Sequence, residues 1–337
     1  MPRILLIAPT FFGYRQRVAR ELSRLGNEVD CLDDRPSEGA LFKSFAKFGY
    51  ALIDKSIAAY ADTIRQQVAQ KKYDHIIYMG GMSFCFTYEQ MRNIREASSA
   101  HMTVYLWDAL RNCRRLGESL VFFDEKYSFE PSDCRISKLT MRPLFYSDTY
   151  MKLPAHSDGE FEYDACFIGS VHQSSKFKSI LAITKWMRES GFNVFTYFYM
   201  PSHSVEYMRK IEDRAYRGIE FQHYPMSAEQ IASVYARSAA IIDSPQSGQN
   251  GLTMRTLETI GARRKLITVN EDICNYDFYD YGNVAIWNDE TGVSGDFINR
   301  EYCDLPFDVY ESYSITSFVR TLIGEDYTYT GYRGVEK

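Results

Sequence analysis

The chain has 337 residues, a length that indicates two domains at roughly 150 residues each. Hydrophobic residues make up 45% of it and charged residues 25%, a composition that excludes a mainly disordered or fibrous protein. The formal net charge of −5 lacks the basic excess of a nucleic-acid binder, so we expect no nucleic-acid partner. The first 150 residues are slightly basic and the remainder is acidic, so any peripheral membrane contact is expected through the N-terminal half.

The cysteine pattern and the apolar runs indicate a cytoplasmic protein. The seven cysteines are widely spaced and odd in number, and no CxxC pair occurs, which favours reduced thiols. No apolar run reaches the length of about 18 residues that indicates a transmembrane helix. The run 4–8 is too short for a signal peptide. We therefore expect a soluble chain.

Strands and helices alternate through the first 145 residues. The apolar run 4–8 predicts a buried parallel strand, and Val18, Leu22 and Leu25 have the spacing of a helix that ends at Gly26. A long helix is predicted around 51–70. Further strands are predicted at 29–32, 75–79, 102–107 and 120–123. This alternation is typical of a parallel sheet covered by helices.

A second alternation follows a predicted linker at 151–162. Strands are predicted at 163–168, 193–199, 221–224, 240–243 and 265–269, and helices at 176–189, 227–236 and 253–262. The last of these strands and helices complete a second parallel array. The predicted fold is α/β, with two Rossmann-like domains whose parallel sheets face a central cleft. The predicted bounds are 1–150 for the N-terminal domain, 163–305 for the C-terminal domain, and 306–337 for a helix that crosses back and a tail.

The segment 244–258 joins a strand end to a helix start through a glycine-rich turn. Free backbone N–H groups at such a start form an anion site, and Gly248 and Gly251 permit close approach of a phosphate. Arg255 and Glu258 lie three apart on one helical face and can offer a cation and an acceptor for a ribose hydroxyl. An ordinary β–α turn with a surface Arg–Glu pair fits the spacing equally well.

The run Gly251-Leu-Thr-Met-Arg-Thr-Leu-Glu258, followed by Lys265-Leu-Ile-Thr-Val-Asn270, resembles the donor-binding segment of GT-B glycosyltransferases. The resemblance is to the group-1-like type, in its capsule, lipopolysaccharide and spore-maturation-like branch, and it extends over most of the chain. It implies that the C-terminal domain binds a nucleotide-sugar, with Glu258 on the ribose. The helix start would hold the diphosphate through Gly251, Leu252, Thr253 and Arg255.

The chain departs from this family at one position. Retaining members with a two-glutamate motif have an acidic residue eight positions before the ribose glutamate, and Asn250 stands there in this chain. This difference favours inverting transfer. No Asp-x-Asp occurs where a metal-bridged diphosphate would need it, so we expect a metal-independent enzyme with no metal and no cofactor.

Further donor-binding residues are predicted in the loop after the strand 163–168. Gly169, Ser170, His172, Lys176 and Lys178 could hold the phosphates, although a surface histidine and a solvated lysine are ordinary alternatives. Residue Tyr224 precedes a capped helix where the family contacts the nucleobase. It could equally be a core aromatic.

Three carboxylates of the first domain are candidates for the catalytic base. Asp108 directly follows the strand 102–107, and Glu130 and Asp133 follow the next predicted strand. Asp108 is the preferred candidate. Its neighbours Arg111, Arg114 and Arg115 leave a structural ion pair open.

The sequence motifs of several other enzyme and metal-binding classes do not occur in the chain. The chain has no G-x-G-x-x-G after its first strand, no P-loop, no H-E-x-x-H, no G-x-S-x-G and no clustered Cys/His ligands among its six histidines. Asp33 and Asp34 end the second strand and keep a nicotinamide-dependent oxidoreductase open. A non-catalytic nucleotide-sugar-binding protein also stays open. The resemblance implies transfer of a sugar to a glycan or lipid-linked acceptor in bacterial surface polysaccharide synthesis.

Overall fold

The computed structural model describes residues 1–10, 13–37, 52–113, 115–154, 161–325 and 328–334. The chain divides into two compact units. Unit 1 comprises Met1–Pro143 and Ile315–Tyr329, and unit 2 comprises Leu144–Ser314 and Thr330–Lys337. The predicted linker lies partly outside the described residues, and the predicted domain bounds stay predictions.

A six-stranded parallel sheet forms the centre of unit 1, in the order β2-β1-β3-β4-β5-β6. The first four strands confirm the sequence prediction. The apolar residues of β1, β3 and β4 are buried because helices cover a parallel sheet, whereas those of the edge strand β2 are partly buried or exposed. The strands are β1 Arg3–Ile7, β2 Glu28–Leu32, β3 His75–Gly80, β4 His101–Leu106, β5 Glu125–Ser128 and β6 Thr140–Met141.

Five helices of unit 1 lie between these strands in the described part of the chain. In the first, Val18 and Leu22 are buried, and Gly26 follows the helix end with φ +91°. A left-handed φ at this position is typical of a helix that ends at glycine, as the sequence predicts. The helices are α1 Tyr14–Arg24, α2 Asp54–Gln70, α3 Tyr88–Glu96, α4 Leu116–Ser119 and α5 Pro131–Ser137.

The predicted strand at 120–123 is wrong. Leu120–Phe122 form a 3₁₀ helix, and the strand β5 begins at Glu125. Leu120 and Phe123 are buried, whereas Val121 is 68% exposed. The run of four apolar residues is too short for its period to distinguish a strand from a helical turn.

A five-stranded parallel sheet forms the centre of unit 2, in the order β11-β10-β9-β7-β8. The strands are β7 Tyr163–Ser170, β8 Val194–Tyr199, β9 Ser238–Asp243, β10 Lys265–Thr268 and β11 Val284–Ile286. The helices described in this unit are α6 Asp148–Met151, α7 Ser174–Glu189, α8 His203–Glu212, α9 Ala228–Ala236, α10 Met254–Gly261, α11 Gly295–Asn299 and α12 Phe307–Ser312.

Three of these helices begin at side-chain caps, the first being α8, where Ser202 Oγ accepts from the N–H of Val205 at 3.3 Å. The capping box predicted before α9 is confirmed, because Ser227 Oγ accepts from the N–H of Gln230 and Gln230 Oε1 accepts from the N–H of Ser227. Thr253 caps α10, where its Oγ1 accepts from the N–H of Thr256 at 3.2 Å. Such caps satisfy backbone donors that have no partner within the helix.

The predicted strand at 221–224 is also wrong. Gln222 makes an isolated parallel bridge with Tyr199, and the ladder extends no further. Phe221 is buried, Tyr224 is 81% exposed, and Pro225 has no N–H with which to continue the pairing. This segment is therefore a loop that contacts the end of β8.

The chain returns to unit 1 over Ile315–Tyr329. Where the sequence predicts one helix, the structure has α12 in unit 2 and α13, Ile315–Leu322, in unit 1. The carbonyl oxygen of Leu322 accepts from Thr103 Oγ1 at 3.0 Å on β4. Thr316 Oγ1 donates to Glu21 Oε1 at 2.5 Å on α1.

Candidate ligand site

A cavity of about 320 Å³ lies at the carboxyl ends of β9 and β10, beside the start of α7. Ligands of parallel α/β sheets usually bind at this edge. The cavity belongs wholly to unit 2. It is lined by Ser175, Lys176 and Ser179 of α7, by residues 244–250 after β9 and by residues 269–272 after β10.

Lys176 supplies the positive charge among the residues that line the cavity. Its side chain is half-buried, and within the described ranges its ammonium group makes no hydrogen bond or ion pair. Burial lowers the pKa of Lys176 to about 8, with a further lowering by Arg255 and an opposing effect of Asp243. A desolvated cation beside a cavity favours an anionic ligand, which would restore the missing charge partner.

A buried ion pair lies beneath the loop that lines the cavity. Arg255 Nη1 donates to Asp243 Oδ1 at 2.6 Å, and Arg255 Nη2 donates to the carbonyl oxygen of Ile168 at 2.7 Å. The two charged side chains are 14% and 1% exposed. Burial raises the pKa of Asp243, but Arg255 and Lys176 outweigh it and the net direction is downward. The guanidinium group therefore joins α10 to the ends of β7 and β9.

Gly169 permits this position of the arginine. A Cβ atom at residue 169 would lie 2.2 Å from Arg255 Nη2, so any side chain there would displace the guanidinium group. The Arg255 guanidinium carbon also lies 4.9 Å from the ring centroid of Phe167. Gly169 and Arg255, both predicted to bind the donor, thus contact each other, and neither lines the cavity.

Three further residues that the sequence predicts to bind the donor, Ser170, His172 and Lys178, lie in or beside the loop between β7 and α7 and contact their neighbours. Ser170 Oγ lies 2.6 Å from His172 Nδ1. Partial desolvation, together with Arg209 and Lys176, lowers the pKa of His172. Lys178 Nζ lies 2.9 Å from Asp213 Oδ2 and its side chain is 59% exposed. Lys178 therefore has its own carboxylate and does not line the cavity.

The residues around the start of α10 that the sequence predicts to bind the donor mainly stabilise the helix start. Gly251 and Leu252 are buried. Thr253 Oγ1 donates to Asp243 Oδ2 at 2.6 Å. Glu258 is half-buried, and its charge acts on Tyr235. The cavity is lined by the residues just before this run.

Sequence reasoning missed several of the lining residues. The loop 244–250 carries Gln246, Ser247 and Gln249, and the second loop carries Asn270 and Glu271. Asn270 Nδ2 donates to the carbonyl oxygen of Asn250 at 2.9 Å, which ties the two loops together. The sequence did offer a signal for these lining residues. Both loops directly follow predicted strands, and ligands usually bind where parallel strands end.

Tyr224, predicted to contact a nucleobase, is a surface residue of unit 2. It is 81% exposed, and its carbonyl oxygen accepts from Tyr197 Oη at 2.7 Å. It does not line the cavity. The alternative of a core aromatic is wrong because the ring is exposed.

The preferred catalytic base contacts backbone in unit 1. Asp108 Oδ2 accepts from the N–H of Met82 at 3.0 Å, and the carboxyl group lies where a Cβ of residue 81 would be. The side chain is half-buried. Of its three arginine neighbours, Arg115 pairs with Asp54 at 3.1 Å, and Arg114 lies outside the described residues.

The two other candidate carboxylates point into the interior of unit 1. Glu130 has no exposed surface and accepts from Ser132 Oγ at 3.0 Å. Asp133 Oδ2 accepts from the N–H of Leu110 at 2.8 Å and from Ser128 Oγ at 3.0 Å. Burial raises the pKa of Asp133. Asp108 is the most accessible of the three carboxylates.

Two histidines that lie apart in the sequence come together in unit 2. The sequence indicates no clustered histidine ligands, yet the rings of His203 and His223 lie 3.8 Å apart between centroids, beside Glu206. These residues are separated along the chain, so their spacing gave no signal.

A membrane-spanning helix is not found among the described residues, none of whose helices has the length and apolarity required.

Each of the two units has a parallel sheet covered by helices, which confirms the predicted α/β fold with two domains. No protein-family model and no curated protein sequence matches the chain. The comparison with solved structures, by contrast, finds proteins similar over nearly the whole chain.

Two of the similar structures have a TM-score of 0.50. One is the catalytic domain of starch synthase IV from Arabidopsis thaliana bound to ADP and acarbose, with 10% identity over 97% of this chain and 96% of that chain. Another is UDP-N-acetylglucosamine 2-epimerase from Rickettsia bellii, with 10% identity over 96% of each chain. Identities this low show the fold alone.

Proposed function

We propose that the chain is a glycosyltransferase that takes its sugar from a nucleotide-diphosphate-sugar held by unit 2. The observation that carries this proposal is the half-buried ammonium group of Lys176 beside the cavity at the strand ends. A diphosphate would give this ammonium group the direct anionic partner that it lacks among the described residues, in a cavity that Glu271 and Asp272 also line. The fold supports the proposal, because the similar structures include a starch synthase domain bound to ADP.

The proposed chemistry needs charge stabilisation at the leaving group. The acceptor oxygen attacks the anomeric carbon, the bond from that carbon to the diphosphate breaks, and the nucleoside diphosphate leaves with added negative charge. In this proposal Lys176, which lines the cavity, stabilises this charge and no metal ion takes part. Gln246, Asn270 and Glu271 supply polar groups for the hydroxyls of the donor.

Inverting transfer is the stereochemistry we propose. Asn250 lines the cavity, and its carboxamide has neither the basicity nor the charge of a carboxylate. An inverting displacement requires a base to take the proton of the acceptor hydroxyl. We assign this role to Asp108. The proposed acceptor is a glycan or lipid-linked saccharide of bacterial surface polysaccharide synthesis, a choice that rests on the family resemblance.

The rival functions predict different products. The alternative of a nicotinamide-dependent oxidoreductase depends on Asp33. The carboxylate of Asp33 already has two donors within the protein, Arg15 Nη1 at 2.7 Å and Thr10 Oγ1 at 3.1 Å. An epimerase, suggested by one similar structure, would change the sugar without an acceptor. A binding protein would hold the nucleotide-sugar and leave it intact.

The test is a thermal-shift screen of UDP-, GDP-, CMP- and ADP-sugars, followed by a product assay. Ligand at a hundredfold excess over Kd stabilises the native state by about 2.7 kcal/mol, so a binding donor raises the unfolding temperature measurably. We expect release of free nucleotide that depends on an added acceptor. Acceptor-independent epimerisation, oxidation of a nicotinamide cofactor, or binding without turnover would each contradict transfer.

A further inference from the structure

Three potential metal ligands lie together in unit 2. His203 and Glu206 are three residues apart on α8 and therefore share one face of the helix. His223 reaches them from the loop before α9. One potential ligand atom from each of the three side chains lies within 4.8 Å of the other two.

The position of His223 fixes which of its nitrogens faces the cluster. Its Nδ1 lies 3.0 Å from the carbonyl oxygen of Met200, which can only accept, so Nδ1 carries a proton and donates it. Its Nε2 lies 2.9 Å from Glu206 Oε2. In many metal-binding histidines one ring nitrogen donates to a backbone carbonyl and the other binds the ion. In His223 the nitrogen left for an ion is Nε2, which lies beside Glu206, a second potential ligand.

Glu206 is oriented by a second contact. Its Oε1 accepts from Lys210 Nζ, which leaves Oε2 directed at His223. Lys210 Nζ in turn lies 5.4 Å from the ring centroid of Phe221, which helps to fix the lysine. His203 is exposed, so an ion can reach the cluster from solvent. None of the three residues lines the cavity assigned to the donor.

We propose that His203, Glu206 and His223 bind one Zn²⁺ ion, with water as the fourth ligand. Two imidazoles and one carboxylate are a donor set that Zn²⁺ accepts in tetrahedral geometry. The ion would join α8 to the loop before α9, and so stabilise this part of unit 2. The proposal is independent of the glycosyltransferase assignment because it involves other residues and another ligand.

The test is a calorimetric titration of ZnCl₂ into the full chain, purified without a polyhistidine tag and stripped of metal by a chelator. We expect one equivalent of Zn²⁺ to bind and to raise the unfolding temperature. Replacement of Zn²⁺ by Co²⁺ should give the visible absorption of a low-coordinate Co²⁺ site. Binding of less than one equivalent, or a spectrum of hydrated Co²⁺, would overturn the proposal without any variant.

Two variants separate this site from adventitious binding. His203→Ala removes an exposed ligand, and we expect Zn²⁺ affinity to fall at least tenfold, since even outer-shell changes cost about 10–100-fold. His101→Ala is the matched control, because His101 is also partly exposed and lies 3.8 Å from a carboxylate, that of Asp124. It should bind Zn²⁺ as the unchanged chain does. Unchanged affinity in His203→Ala, or an equal loss in both variants, would contradict the assignment.

Discussion

The positive charge of Lys176 lowers the stability of the folded chain. Its ammonium group loses water on folding and gains no direct partner among the described residues, which is why its pKa is about 8 and not near the ordinary 10.5. Sites that bind a charged ligand often carry such a local instability. Removal of this charge should therefore have opposite effects on ligand affinity and on stability.

We expect Lys176→Met to weaken donor binding about tenfold or more, since a hydrogen bond to a charged group contributes about 1.5–3 kcal/mol. The unfolding temperature of the ligand-free chain at pH 7 should stay equal or rise. Calorimetry with the donor and a thermal melt measure the two effects. Lys185→Met is the control on the same helix, with a side chain 74% exposed and 3.7 Å from Glu189. Equal donor affinity in both variants would remove Lys176 from the site.

Donor affinity should also depend on pH through this group. Below pH 8 Lys176 is protonated and attracts the diphosphate, and above pH 8 it loses its proton in the free chain. Affinity should therefore fall between pH 8 and pH 10, by up to about tenfold per pH unit for a single proton. In the ligand-free chain the same deprotonation favours the folded state, because the folded pKa is lowered. A calorimetric pH series in which Lys176→Met shows the same slope would assign the effect elsewhere.

Asp108 is tested by a change that preserves its shape. Asp108→Asn removes basicity and retains an oxygen that can accept from the N–H of Met82. Turnover should fall about 10²-fold or more, because a general base contributes about 10²–10⁴-fold. Donor affinity should stay near that of the unchanged chain. If turnover survives, Asp108 is a structural residue that fixes the loop at 81–82.

The contact between α10 and the strands beneath it depends on Arg255 and Asp243. Sequence spacing predicts that Arg255 projects toward a ligand, and its replacement should then weaken binding without unfolding the chain. The structure instead surrounds its guanidinium group with Asp243, the carbonyl of Ile168 and the ring of Phe167. The helix start needs this pair because Asp243 also binds the capping residue Thr253.

Arg255→Ala should lower the free energy of unfolding by about 3–5 kcal/mol, because it leaves the Asp243 carboxylate buried and unpaired by charge. Urea denaturation at pH 7 measures the change. Arg237→Ala is the control, since Arg237 has the same 2.6 Å nitrogen–oxygen distance to Glu162 but both side chains are nearly half exposed. That variant should lose no more than about 1 kcal/mol. If the two variants lose similar free energies of unfolding, burial of the Arg255–Asp243 pair contributes little to stability.

In the described part of the chain, the alternation of strands and helices could be predicted from the sequence, but β5, β6 and β11 and the helices α3, α5 and α8 were not predicted. Buried parallel strands are continuous apolar runs, and helices such as α1 show a clear period and an ending glycine. The two wrong strands were short runs, at 120–123 and 221–224, where the period could not be read. In the second, the exposed Tyr224 and the following Pro225 end the pairing, and neither effect appears in an apolar count.

The candidate site could be predicted less well than the fold. In the segment 244–258, which the sequence analysis singles out as a donor site, residues 244–250 line the cavity and the second half holds Arg255 in a buried pair. A sequence shows that an arginine is near a helix start, and it does not show whether a buried aspartate ten or more positions away will bind it. The cluster of His203 and His223 was missed for the same reason, because tertiary contacts bring the two together.

The central claim is that unit 2 binds the nucleoside diphosphate of a sugar donor without a metal ion. The most direct measurement is calorimetric titration of UDP-, GDP-, CMP- and ADP-sugars into the chain in excess EDTA, repeated with Mg²⁺ in place of the chelator. We predict that at least one of the UDP-, GDP- and ADP-sugars binds with one-to-one stoichiometry and equal affinity in both conditions. Failure of all three to bind, binding of the CMP-sugar alone, which carries a single phosphate, or binding only in the presence of Mg²⁺ would contradict the claim.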